Sequence, residues 1–337
     1  MTEKFACFLA VAACVACNYD VCEVSGDEQA SKGQGDLVVT IEHESLKTKA
    51  LTDYTMPLLE ENAVKSTAVF VFDKATGNLN AYKKITKSGE ECVFSVTTGE
   101  KVVCAVLNVE SIGAVTTLEE FDKLVDDLSG TDIVNDGLVM VGRQNCVVRN
   151  GETSEPTVTV KRMVARVVLT KVTNNVPPQY GDIVVNCVYL GNANTVQTYG
   201  GTPSVSVNPD GYAGKDKTQP IGKDGVTGAC PAYMYREIGG TVSTGAEITT
   251  KYHLYCQPTD EKVVTCMYLL VTIGGSQYYY RVPLKNGLEA NKTYSVELEI
   301  VNLGSVTPPD GDIQKGEIMP IVTVSGWNAG DSYIVEF

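Results

Sequence analysis

Histidine is scarce: the 337-residue chain has two, His43 and His253. A serine or cysteine nucleophile needs a base within hydrogen-bond reach, usually histidine, so nucleophilic catalysis has little to draw on. No Cys-x-x-Cys pair occurs after the first seventeen residues. A structural zinc site, built from such pairs or from histidines, is therefore not expected. Gly222-Lys223 is followed by Asp224, without the Ser or Thr that would hold magnesium in a phosphate-binding loop. Asp310-Gly311-Asp312 resembles the start of a calcium loop, but Lys315 stands where glycine is required and no acid closes the loop. Basic residues are also in deficit, 27 against 41 acids, and the formal charge of −14 opposes nucleic acid and anionic membranes as partners. No pair among the acids is marked out for glycoside hydrolysis. These absences predict a protein that is not an enzyme, with no catalytic residues, no metal and no cofactor.

Long apolar runs are missing too, and the one at the start is short. Met1 to Cys17 has an early lysine, Lys4, then an uncharged apolar stretch from Phe5 to Ala16 that meets small residues and cysteine. A membrane-spanning helix needs roughly 20 apolar residues, whereas the core of an export signal has about 7–15. The pattern is that of a bacterial lipoprotein signal, with Cys17 as the lipidated residue and Cys14 as the alternative. Eleven cysteines would suggest disulfides in an exported chain, yet three lie in this signal. Cys92, Cys104, Cys146, Cys187, Cys230, Cys256 and Cys266 sit singly, several in apolar runs, and are expected to be buried thiols. Whether Cys256 and Cys266 pair stays open.

From Glu23 to Gln34 the chain is polar and reads as a tether. Leu37, Val39 and Ile41 then alternate with polar or outward positions, and strand-like runs recur at Thr67 to Phe72, Val93 to Val96, Lys101 to Val109, Leu138 to Val141, Thr157 to Val160 and Met163 to Val172. Thr117-Leu118-Glu119-Glu120 is a capping box, and Leu118, Phe121, Leu124, Val125 and Leu128 follow at helical spacing. This predicts a short helix covering a sandwich. In the second half, Asn208 to Ala229 reads as an exposed insertion, Met267 to Leu284 as a hairpin through Gly274-Gly275, and Tyr294 to Ile300 as a strand with one wet face. Many short strands and one helix predict an all-β chain of two tandem β-sandwich domains.

Several segments in this order resemble the fimbrillin family, the FimA-type major fimbrial subunits of Bacteroidales. They are the lipoprotein start ending Ala16-Cys17-Asn18-Tyr19-Asp20; Asp36 to Ile41 before Thr48-Lys49-Ala50; Ala68 to Asp73; Thr98 to Asn108; Gly137 to Met140; Val160 to Val167; Leu288 to Tyr294; and the run to Trp327. The resemblance implies two transthyretin-like sandwiches with one short helix in the first. It also implies delivery as a lipoprotein to the outer membrane and assembly into an extracellular fimbrium. In that family a trypsin-like protease removes the lipidated end with the first strand, and the C-terminal strand of another copy fills the groove. Carried over, residues 1–17 are the signal, 18–49 the tether and removable strand (Leu37, Val39, Ile41), 50–157 the N-terminal domain and 158–337 the C-terminal domain. The cut falls at Lys49-Ala50, with Lys47 as the alternative; the family's usual site follows arginine, so an arginine-only protease would not process this chain.

The residues support that mechanism on physical grounds. A strand flanked by a polar tether and the polar segment His43 to Lys49 is excisable without cutting a core, and its loss leaves an edge open to β-augmentation. The expected donor is Glu317 to Trp327 continuing to Phe337, after a flexible linker from Gly304 to Gly316. Val322 and Val324 are expected on one face, Ile321, Thr323 and Trp327 on the other, with Tyr333, Val335 and Phe337 as a further alternating set. The implied partners are other copies of the chain, the protease, anchor and tip pilins, and host or bacterial surface receptors. Membrane contact is expected only through the lipid before processing. The alternative is a lipid-anchored adhesin, anchor or tip component that binds glycan or host protein without polymerising.

Overall fold

The structure is a computed structural model. It describes residues 33–43, 60–85, 92–128, 135–201, 232–259, 261–262, 264–306, 318–327 and 332–335. Ten strands and one helix precede the crossover into the second half: β1 (Gln34–Val38), β2 (Thr40–His43), β3 (Thr67–Asp73), β4 (Leu79–Ile85), β5 (Val93–Thr97), β6 (Gly99–Leu107), α1 (Leu118–Lys123), β7 (Val125–Asp127), β8 (Met140–Val148), β9 (Thr153–Ser154) and β10 (Thr157–Arg162). Nine of these strands form a three-stranded sheet, β5-β1-β9, facing a six-stranded sheet, β2-β10-β8-β6-β3-β4, while β7 pairs with a strand of the second half. The near-continuous apolar runs of β3 and β6 have a direct cause, since both strands are buried on two faces. Val69, Val71, Val103 and Ala105 point to the core shared with the small sheet, while Phe70, Phe72, Val102 and Cys104 point to a second cluster capped by Phe121 of α1.

The second half contains β11 (Ala165–Asn174), β12 (Ile183–Gly191), β13 (Val196–Thr198), β14 (Tyr235–Val242), β15 (Glu247–Cys256), β16 (Thr265–Ile273), β17 (Ser276–Leu284), β18 (Lys292–Ile300), β19 (Ile318–Gly326) and β20 (Ser332–Val335). A five-stranded sheet, β15-β11-β18-β19-β20, packs on a four-stranded one, β14-β12-β16-β17. The all-β tandem arrangement with one short helix is thus the fold. The β16–β17 hairpin closes through Gly274 and Gly275, both at positive φ, the backbone that a two-residue turn demands. In β18, Tyr294, Val296, Leu298 and Ile300 are buried, but Ser295 on the opposite face is buried too. Cys104, Cys187 and Cys256 are buried free thiols, so Cys256 and Cys266 are not joined. Burial pushes each of these three thiols up to about 12, and their thiolates are correspondingly disfavoured.

Three expectations need correction. The helix forms with both hydrogen bonds of the capping box, Glu120 N to Thr117 Oγ1 and Thr117 N to Glu120 Oε2, each 3.2 Å, but it stops at Lys123. Val125 to Asp127 leave helical spacing because β13 offers them backbone partners, and Leu128 packs into the core of the second half. The first strand is two strands, broken at Val39, each belonging to a different sheet. Finally, Thr157 to Arg162 hydrogen-bond into the six-stranded sheet of the first half, so the crossover between sandwiches falls between Arg162 and Ala165.

Candidate functional site

The segment Gly33 to His43 holds the first sandwich together. β1 lies at the centre of the small sheet, antiparallel to β5 from Gln34↔Thr97 to Val38↔Val93 and parallel to β9 at Asp36 and Leu37. At Val39 the chain changes sheets: Val39 N donates to Cys92 O (2.9 Å), and Thr40 N donates to Pro156 O (3.0 Å). β2 then runs parallel to β10, Thr40↔Thr157 to His43↔Val160, as the edge of the large sheet. Alternation carries Leu37 and Val39 into the core, with Ile41 packed against it. Each such apolar side chain contributes about 1.5–3 kcal/mol when fully buried. Among the described residues, without this segment β5 and β9 would have no pairing strand, and β10 would be an edge from Thr157 to Val160. Gly35 is required by close approach, since a Cβ there would lie 2.4 Å from Arg149 O and 2.8 Å from Val148 Cγ1.

At the other end of the chain, β19 pairs with β18 over nine positions, from Lys292↔Gly326 to Ile300↔Ile318, whereas β20 pairs with β19 over four. Val322 and Val324 are buried and Ile321 is 49% exposed, as their alternation predicts. Trp327 departs from it. The strand ends at Gly326, Trp327 N donates to Asn291 O (3.0 Å), and the indole is buried in the same core as Val322 and Val324. The side chains of Tyr333 and Val335, together with Phe337, Cys14, Cys17, Lys47, Lys49 and Ala50, lie outside the described residues, as do the 208–229 insertion and the 222–224 and 310–315 loops.

Between the halves sits a buried polar cluster that the sequence reading missed. Glu61 is fully buried; Arg166 Nη1 donates to its Oε2 (2.6 Å), the Tyr255 hydroxyl donates to its Oε1, and His253 Nδ1 lies 3.4 Å from the same oxygen. Arg162 donates to Glu61 O (3.1 Å) and Asn62 Oδ1 (2.5 Å). Burial acts to raise the Glu61 pKa, but His253, the Arg166 charge and the Tyr255 hydroxyl together hold it below the usual carboxylate value. Burial and the adjacent Glu61 charge push the Tyr255 phenol well above its own. The available signal was two arginines four positions apart in an apolar strand run, Val160 to Val168, because a buried guanidinium requires a carboxylate somewhere.

A second seam joins the halves through backbone. β7 pairs with β13 antiparallel, Tyr199 N donates to Leu124 O (2.8 Å), and the Phe121 and Tyr199 rings meet edge-on at 5.7 Å. Beside it Gln257 Nε2 donates to the buried Asp126 carboxylate. Desolvation, opposed by that hydrogen bond, raises Asp126 to about 6. A cleft of about 300 Å³ opens here, lined by Arg143, Lys161, Gln197 and Tyr199 among others, with Arg143 held by Asp122 at 2.5 Å. Among the described residues, no group of three His, Cys, Asp or Glu is placed to hold a metal, and no helix is long and apolar enough to cross a membrane.

What this arrangement offers is a sandwich completed by one terminal segment, with a short edge strand at the other terminus. A family model described as the major fimbrial subunit protein (FimA) matches residues 36–219, more than half of the chain. No curated protein matches the sequence. Among solved structures, the fimbrilin (FimA) of Porphyromonas gingivalis W83 superposes with a TM-score of 0.62 at 15% identity, covering 87% of this chain and 98% of that one. A candidate cell adhesion protein of Bacteroides eggerthii gives 0.63 at 17%, covering 89% and 98%. The tip fimbrial protein Mfa3 of P. gingivalis, solved with a C-terminal truncation, gives 0.51 at 15%, covering 87% and 100%. At these identities the likeness establishes the fold, and the family model establishes the kinship. The chain belongs to the FimA family of major fimbrial subunits, structural proteins of extracellular cell-surface fimbriae and not enzymes.

Proposed function

We propose that this fimbrial subunit polymerises by strand exchange. It is exported as a lipoprotein anchored in the outer membrane through Cys17, or Cys14 as the alternative. A trypsin-like protease then cuts at Lys49-Ala50, or after Lys47, and releases the lipid together with the strand carrying Leu37, Val39 and Ile41. The C-terminal segment of another copy fills the vacated groove, and the fibre grows by repetition. The two sandwich domains run from 50 to 162 and from 163 to 337, the boundary lying past 157 because β10 pairs within the first. Anchor and tip pilins and surface receptors are the other partners.

The observation that carries this reading is the place of Gly33 to His43: one short segment fills the centre of one sheet, the edge of the other and part of the core between them. A chain lacking it has an apolar trough lined by unpaired backbone groups, the surface that β-augmentation satisfies. Treating the purified precursor with trypsin should give a product beginning at Ala50 or Thr48 that forms detergent-resistant ladders. Replacing Lys47 and Lys49 together by Gln should leave lipidated monomer. Normal fibres from that double variant would remove the cleavage step, and surface-sheared material that still starts at a lipidated cysteine would identify a retained anchor or adhesin instead.

A further inference from the structure

We propose that Trp327 is a fixed clamp at which the exchangeable segment begins, so that β19 stays in its own subunit and only the chain beyond Trp327, β20 onward, crosses to the next copy. This rests on the strand-exchange reading and specifies its donor. Two unequal attachments motivate it. β19 is held by a nine-residue register with β18 and by Val322 and Val324 in the core, while β20 is an edge strand held by four residues.

Trp327 divides the two. Its indole is sandwiched among charged and aromatic groups: the Arg166 Cζ lies 4.5 Å from the ring centroid, the Arg162 Cζ 5.0 Å, and the Tyr255 ring 6.1 Å away at 26°. Desolvated guanidiniums over an indole face are the strong form of the cation–π contact. Arg166 Nη2 also donates to Trp327 O (3.1 Å) and its Nε to Thr293 Oγ1 (3.1 Å), so one guanidinium grips the backbone of Trp327, β18 and Glu61 together. Drawing β19 out would pull the indole from the core and leave two buried cations short of a partner. Freeing β20 breaks its pairing with β19 and none of the contacts just named.

The clamp also gives pulling force a path. Tension entering through the exchanged segment reaches Trp327 first, passes to Arg162 and Arg166, and arrives at Glu61 and Asn62, at the start of β3's domain. The groove end and the donor end of a subunit are thus joined through buried, charge-assisted contacts and not through the β19 register alone.

Two disulfide staples test the assignment in the full precursor, with trypsin-triggered ladders as readout and reductant as the internal control. Glu297→Cys with Ile321→Cys joins directly opposed positions of β18 and β19; Thr323→Cys with Ile334→Cys joins β19 to β20. With the staples verified by mass, the β18–β19 staple should leave ladder formation at the unstapled level. The β19–β20 staple should suppress it at least tenfold until reduced. If the β18–β19 staple suppresses ladders and reduction restores them, β19 itself leaves and the clamp is overturned. If the β19–β20 staple has no effect, the C-terminal segment is not the donor and the exchange reading fails instead.

Discussion

At the scale of single residues, buried charge was the least legible feature of this chain. Leu37 and Val39 declared themselves by alternation, because burial of a strand face has a local signature. Glu61 has none: its partners Arg166, Tyr255 and His253 are distant in sequence, and Glu60-Glu61-Asn62 reads as a solvated turn. Trp327 was assigned to the wrong face for a related reason, since a period of two holds only while the strand lasts and β19 ends one residue earlier. Asp126 supplies a sharp test. Its pKa is raised to about 6 by burial, from an ordinary value of 3.8, so the folded state favours the protonated form. Stability from this group is full below its unfolded value and is lost as pH rises through about 6, on the order of 2–3 kcal/mol in total. Asp126→Asn should therefore raise stability around pH 8 and change it little around pH 4. The new amide can also donate to Gln257 Oε1, which has no hydrogen-bond partner among the described residues. Urea unfolding at the two pH values decides it; an equal effect at both would refute the assignment.

Elements were legible in kind more than in extent. The capping box fixed the start of α1, but its end depended on β13, a strand from the other half of the chain, supplying backbone partners to β7. The segment Leu37 to Ile41 read as one strand because periodicity is the same whichever sheet a strand joins; only the positions of β5, β9 and β10 reveal that it joins two. Gly35 gave no sequence signal at all, although nothing larger fits against Arg149 O. Gly35→Ala should destabilise the precursor by about 1–3 kcal/mol through overpacking. On the strand-exchange reading the processed subunit has lost this residue, so its stability should match that of unsubstituted material. Thermal unfolding of both forms is the check, and a loss persisting after processing would show that the strand is retained.

At the scale of the molecule, two sandwiches were expected and two are found, but the seam between them was not anticipated. β7–β13 pairing, the Phe121–Tyr199 contact and the Glu61 cluster tie them by backbone, aromatic and ionic links. Within the described residues the halves should unfold together, with calorimetric and van't Hoff enthalpies in agreement; two resolved transitions would show that the seam is weak. On the strand-exchange reading, the change of sheet at Val39 bears on which strands a vacant subunit would accept. An arbitrary extended peptide can satisfy one ribbon of backbone groups more readily than two that belong to different sheets. On that reading a fitting sequence would carry apolar side chains on both sides of a break and place the break opposite Cys92 and Pro156, so the groove would select its ligand by shape as well as by hydrophobicity. Such a two-part lock would keep a fibre that grows by strand exchange from being capped by the wrong chain.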